Sequence, residues 1–187
     1  MQVNNQFNKH ILLSMLLFPL ANLGLCLFGC NVVEVGCNLE FWVKKIVICL
    51  LVAIAEELFF RGLILRELVF SYKWLPVRAS VFISLVFGIL HLVNVNSYAT
   101  WGYAIVQSIC AVAVSFNLCA IFIKTNSLLW CVFIHTLTNV TSVGAGSNSI
   151  DGHLVLNNME AIIFLLISFV YLLSGIKMLN NKIVEGK

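Results

Sequence analysis

Apolar residues run along this chain in long, nearly unbroken stretches rather than alternating with polar ones. Six stretches, about 11–30, 43–62, 79–96, 98–123, 126–143 and 160–179, approach the ~20 residues a helix needs to cross a ~30 Å hydrocarbon core. Hydrocarbon offers no partner to an open backbone group, so each stretch is expected to be a helix. The expected fold is all-α: a polytopic transmembrane helix bundle of about six spans around an intramembrane polar cavity. Residues 1–187 read as a single integral membrane domain. The fourth stretch is long enough to tilt. The segment 144–159, with Gly144, Gly146, Ser147, Asn148, Asp151 and Gly152, reads as a polar loop.

Composition sharpens this picture. The chain is 61% hydrophobic and 10% charged, too apolar to hide inside one soluble core. Placement of the basic residues sets the orientation. With six spans, Lys9, then Arg61, Arg66, Lys73 and Arg78, then Lys124, then Lys177, Lys182 and Lys187 fall on one side. Glu34, Glu40, Asp151 and Glu160 fall on the other, where Lys44 and Lys45 can snorkel. Both termini are therefore expected in the cytoplasm, and the chain in a cytoplasmic membrane of bacterial type, with the lipid bilayer as its surroundings. No basic run suggests nucleic-acid binding. The seven cysteines form no C-x-x-C pair, and most sit inside apolar runs, where a thiol acts as a small hydrophobe. Leu27-Phe28-Gly29-Cys30 loosely resembles a lipoprotein cleavage site, but Phe28 fits it poorly.

Against this background a few polar residues stand out. The second stretch ends in Ala55-Glu56-Glu57-Leu58-Phe59-Phe60-Arg61-Gly62. A charge at the centre of an inserted helix costs about 2.5–3.5 kcal/mol, so such groups normally face the bundle interior and pair with one another. Glu57 and Arg61 stand four apart, on one helix face, and can pair. Glu56 lies about 100° round the helix and can point elsewhere. A carboxylate beside an already neutralised neighbour is a candidate general base. Taken alone, the segment is equally compatible with a structural ion pair.

The third stretch carries Phe87-Gly88-Ile89-Leu90-His91, with Asn94 a turn later; the fifth carries His135-Thr136-Leu137-Thr138-Asn139. A lone histidine in an apolar helix is more often a satisfied core residue, and an asparagine is often interhelical glue. Depth changes the weighing. At ~1.5 Å per residue, Glu56 lies about 18 Å below the outer start of its helix, and His91 about 18 Å above the inner start of its own. His135 lies about 14 Å above the inner start of its helix, with Asn139 about 6 Å further. Three helices thus bring polar groups to similar depth, enough for one buried polar pocket.

In order and spacing, Glu-Glu-x-x-x-Arg at 56–61, Phe-x-x-x-His at 87–91 and His-x-x-x-Asn at 135–139 resemble the three motifs of the CPBP family. These are the CAAX proteases and bacteriocin-processing enzymes, also called the Abi family, which include the Ras-converting CAAX endopeptidases. The motifs occupy residues 52–143, the expected catalytic core. The resemblance implies an intramembrane endopeptidase acting on a peptide or protein that reaches the site from the membrane or the cytoplasmic side. Carried over by motif, Glu56 resembles the glutamate that activates water with help from His91. Glu57 and Arg61 resemble the pair that orients the site, and His135 and Asn139 the groups that stabilise the oxyanion. No cofactor is implied. The alternative is a zinc held by Glu56, His91 and His135, although no H-E-x-x-H is present. Small bacterial members are linked to bacteriocin maturation or self-immunity, and CAAX-type processing is the other setting. Two other functions compete: a non-catalytic immunity or binding protein, and an ion-coupled transporter. No visible repeat or broken helix supports the transporter.

Overall fold

The structure is a computed structural model that describes residues 16, 19–20, 39–95, 100–142, 148–150, 153–155 and 158–180. The first predicted span, the Cys30 motif and both termini lie outside the described residues, apart from three positions within that span.

Helix α1 runs over Leu39–Glu57 and continues without a break as π-helical turns over Leu58–Leu65 and Glu67–Ser71. Helix α2, Pro76–Leu90, starts with its proline in the first turn, where the missing N–H is harmless. It tightens into a 3₁₀ turn over His91–Asn94. Helix α3 covers Trp101–Thr125, capped by the Thr100 hydroxyl on the Tyr103 amide and closed by Asn126 at φ 51°. Helix α4 covers Leu128–Thr141 and α5 covers Asn158–Asn180. Each predicted stretch from the second to the sixth thus falls on a helix.

Among the described residues, three segments are long and apolar enough to cross a membrane: Pro76–Val93, Trp101–Thr125 and Asn158–Asn180. The prediction of about six such spans goes further than this. Helix α1 has the length but carries Glu40, Lys44, Lys45, Glu56 and Glu57. Helix α4, at 14 residues, spans only about 21 Å. The segment predicted as a plain loop contains a small antiparallel ribbon of β1, Asn148–Ile150, and β2, His153–Val155, with Ile150 opposite His153. The two residues between the strands are Asp151-Gly152, a strong hairpin-turn dipeptide that explains the departure.

Helix α3 is the axis of the bundle. Its residues from Ala113 to Phe122 are all buried, and it packs on α2 and α5 while α1 packs on α4. Two glycines permit the closest approaches. A Cβ on Gly88 would stand 2.3 Å from Val112 Cγ2 and 2.9 Å from the Ser108 carbonyl oxygen. A Cβ on Gly175 would stand 2.9 Å from the Phe116 ring. The Ser108 hydroxyl donates to the Gly88 carbonyl at 2.7 Å and locks the α2–α3 crossing. Along α1 and α5, Val47, Leu51, Leu166 and Phe169 point outward, as lipid-facing residues do. The chain is an integral membrane protein.

Candidate active site

The α-helical hydrogen-bonding pattern of α1 gives way to i→i+5 bonding immediately after Glu57. Such widened turns recur at functional sites because they re-aim the side chains around them. Here the pair expected from sequence forms across the change: Arg61 Nη1 donates to Glu57 Oε1 at 2.8 Å, and both side chains are 0% exposed. The same Oε1 faces His135 Nδ1 of α4 at 2.8 Å. A carboxylate can only accept, so Nδ1 carries the proton. The other ring nitrogen, Nε2, stands 3.4 Å from Glu56 Oε2. His135 is therefore an imidazole held between two carboxylates. The Glu57 side is sealed, whereas the Glu56 side chain is 32% exposed.

Glu56 opens onto a cavity of about 500 Å³ whose walls also carry His91, His135 and Asn139. Four of the six sequence-predicted site residues thus meet in one space. Glu57 and Arg61 lie behind it, joined to it through His135. The His91 ring donates from Nδ1 to the Phe87 carbonyl at 2.9 Å, leaving Nε2 as the lone-pair nitrogen of the neutral ring. Asn139 lies one turn beyond His135 on the same face of α4, as the i, i+4 spacing requires. The rest of the wall is mainly apolar, from Ile48, Val52, Phe60, Leu90 and Val114, with Gln107, Thr138 and Ser142 as further polar positions.

Two contributors carried no role in the sequence reading. Phe87 is the aromatic hub: its ring lies 5.1 Å from Phe60, 4.7 Å from His91 and 5.9 Å from His135, and the Arg61 guanidinium stands 5.2 Å from its centroid. Ser115 of α3 receives Arg61 Nη2 on both its carbonyl oxygen, at 3.0 Å, and its hydroxyl, at 2.8 Å. The sequence signal for Ser115 is slight: a hydroxyl in the middle of an apolar span. The Asn94 side chain lies outside the described residues.

Among the described residues no group of three or more His, Cys, Asp or Glu is placed to hold a metal. His135 Nδ1 is committed to Glu57, and its Nε2 stands 3.4 Å from Glu56 Oε2. What the arrangement offers is a half-exposed carboxylate, an imidazole able to exchange a proton with it, and an amide, all bordering one mostly apolar hole.

A family model described as Rce1-like, type II CAAX prenyl endopeptidase Rce1-like, matches residues 38–141. That interval contains Glu56, Glu57, Arg61, His91, His135 and Asn139. No curated protein and no solved structure matches the chain.

Proposed function

Because the chain belongs to the type II CAAX prenyl endopeptidase Rce1-like family, we propose that it hydrolyses a peptide bond inside the membrane with a water activated by Glu56. The observation that carries this reading is the placement of Glu56 and His135 3.4 Å apart on the wall of a cavity shared with His91 and Asn139. In the proposed reaction Glu56 takes a proton from water as the oxygen attacks the scissile carbonyl carbon. Asn139, through its amide N–H, and His135, which enters the reaction protonated on Nε2 and leaves it so, donate to the oxyanion. Glu57 and Arg61 keep the imidazole in place from behind. His91 Nε2 accepts a hydrogen bond from the water. Collapse of the tetrahedral intermediate returns the proton from Glu56 to the leaving amine, so the products are one new carboxyl and one new amino terminus.

The apolar wall supports a substrate with apolar side chains beside the scissile bond. The cavity lies among α1, α2, α3 and α4, and we infer that the peptide enters it from the bilayer or from the cytoplasmic side. Arg66, Lys73 and Arg78 around the α1–α2 connection, with Lys124 and Lys177 in the last turns of α3 and α5, support placing those helix ends in the cytoplasm. The setting we propose is a bacterial cytoplasmic membrane, with peptide maturation, bacteriocin self-immunity or CAAX-type processing as the task.

Reconstitution tests this reading. The full chain in liposomes is incubated with a library of apolar peptides, with and without a zinc chelator, and products are read by mass spectrometry. Cleavage that is indifferent to chelator is expected. Cleavage abolished by chelator and restored by added zinc would overturn the glutamate mechanism.

A further inference from the structure

We propose that Ser115, which belongs to none of the three motifs, is a positioning residue that holds Arg61 so that Glu57 stays aimed at His135. The inference rests on the reading of His135 as a group acting in the cavity.

An arginine and a carboxylate commonly join through two parallel hydrogen bonds that fix their mutual orientation. Here they share one, from Nη1 to Oε1. Glu57 Oε2 has no hydrogen-bond partner among the described residues. The pair is therefore free to pivot about a single contact, and its orientation must come from outside. Beside the Phe87 ring that faces the guanidinium, two hydrogen-bonding anchors supply it. One is His135, on the same Oε1. The other is Ser115, where two acceptors on one residue grip Nη2. Because Ser115 sits on α3, the axial helix, it ties the pair to the most buried element of the bundle. A carbonyl alone would leave Nη2 with one acceptor and hold the guanidinium less firmly. The hydroxyl closes the grip. The resulting chain runs Ser115, Arg61, Glu57, His135, Glu56 through contacts of 2.8, 2.8, 2.8 and 3.4 Å, from the centre of the bundle to the cavity wall.

The test uses the full chain in liposomes or nanodiscs, labelled with ¹⁵N-histidine. S115A is expected to move the His135 imidazole ¹⁵N resonances and to lower kcat by about 10- to 100-fold. KM should stay within about twofold, because the substrate-lining wall is untouched. S115T, which keeps the hydroxyl, is expected to restore both readouts. S80A removes another buried serine hydroxyl, one bonded to its own helix at Pro76, and is expected to leave both unchanged. If S115A does not fold, S115C carries the same test, since sulfur is a poor acceptor of similar size. Unmoved His135 resonances and wild-type kcat in S115A, alongside an inactive E56Q enzyme, overturn the role of Ser115 while sparing the peptidase reading. An E56Q enzyme that still cleaves defeats the peptidase reading instead, and the ¹⁵N resonances then decide Ser115 without any activity.

Discussion

Glu57 of α1 and His135 of α4 are joined by a 2.8 Å hydrogen bond between residues 78 apart in sequence, with both side chains almost wholly buried. This bond couples the sealed ion pair to the cavity. Each partner was predicted to face the bundle interior; their direct contact makes one unit of the first and third motifs.

A double-mutant cycle measures that unit. E57Q and H135A each destabilise the protein, and the double variant should lose less than the sum, with a coupling of about 0.5–3 kcal/mol for groups in one network. Denaturant unfolding in detergent provides the readout. Additive losses would show that the two side chains do not act together.

Arg61→Leu leaves Glu57 as a buried carboxylate without its cation. Removing one partner of a buried pair costs about 3–5 kcal/mol, so R61L should unfold far more readily than wild type. The double variant R61L/E57L, which removes both charges, should recover much of that loss without recovering cleavage. Unfolding midpoints and peptide cleavage, measured side by side, check both halves.

Gly88→Ala tests the α2–α3 crossing. Val112 can rotate away from a new Cβ, but the Ser108 carbonyl oxygen at 2.9 Å is backbone and cannot. Overpacking of this kind costs about 1–3 kcal/mol. Adding V112A should relieve only part of it, as read by thermal unfolding.

On the surface of α1, Lys44 pairs with Glu40, both well exposed. Such pairs contribute about 0–1 kcal/mol. K44A should therefore change neither stability nor cleavage by more than assay scatter, which makes it a control for the buried substitutions.

What the sequence revealed of the site, and what it concealed, follows from the range of the interactions. Helical spacing fixes faces within one element, so Glu57 with Arg61, and His135 with Asn139, were legible as pairs. The common rise per residue fixes depth, so Glu56, His91 and His135 were legible as groups at similar depth, though not as neighbours. The grip of Ser115 on Arg61 joins positions 54 apart, and no local period encodes it. The π-helical turn after Glu57 changes the phase of α1, and the single Gly62 within it does not specify i→i+5 bonding. Phe87 was visible as a motif letter, but its hub position depends on how α1, α2 and α4 meet. The ribbon at 148–155 was written in Asp151-Gly152, outweighed by the surrounding glycines and serines. The shortness of α4 was hidden because the predicted stretch took in Asn126 and Ser127 before the helix and Ser142 and Val143 after it.

The most direct test of the account is the cleavage rate of Glu56→Gln, compared with wild type at equal membrane insertion and equal unfolding midpoint. The amide keeps the shape and removes the proton acceptor. The account predicts a loss of about 10²–10⁴-fold, the contribution of a positioned general base. A glutamine variant that cleaves at the wild-type rate would contradict it.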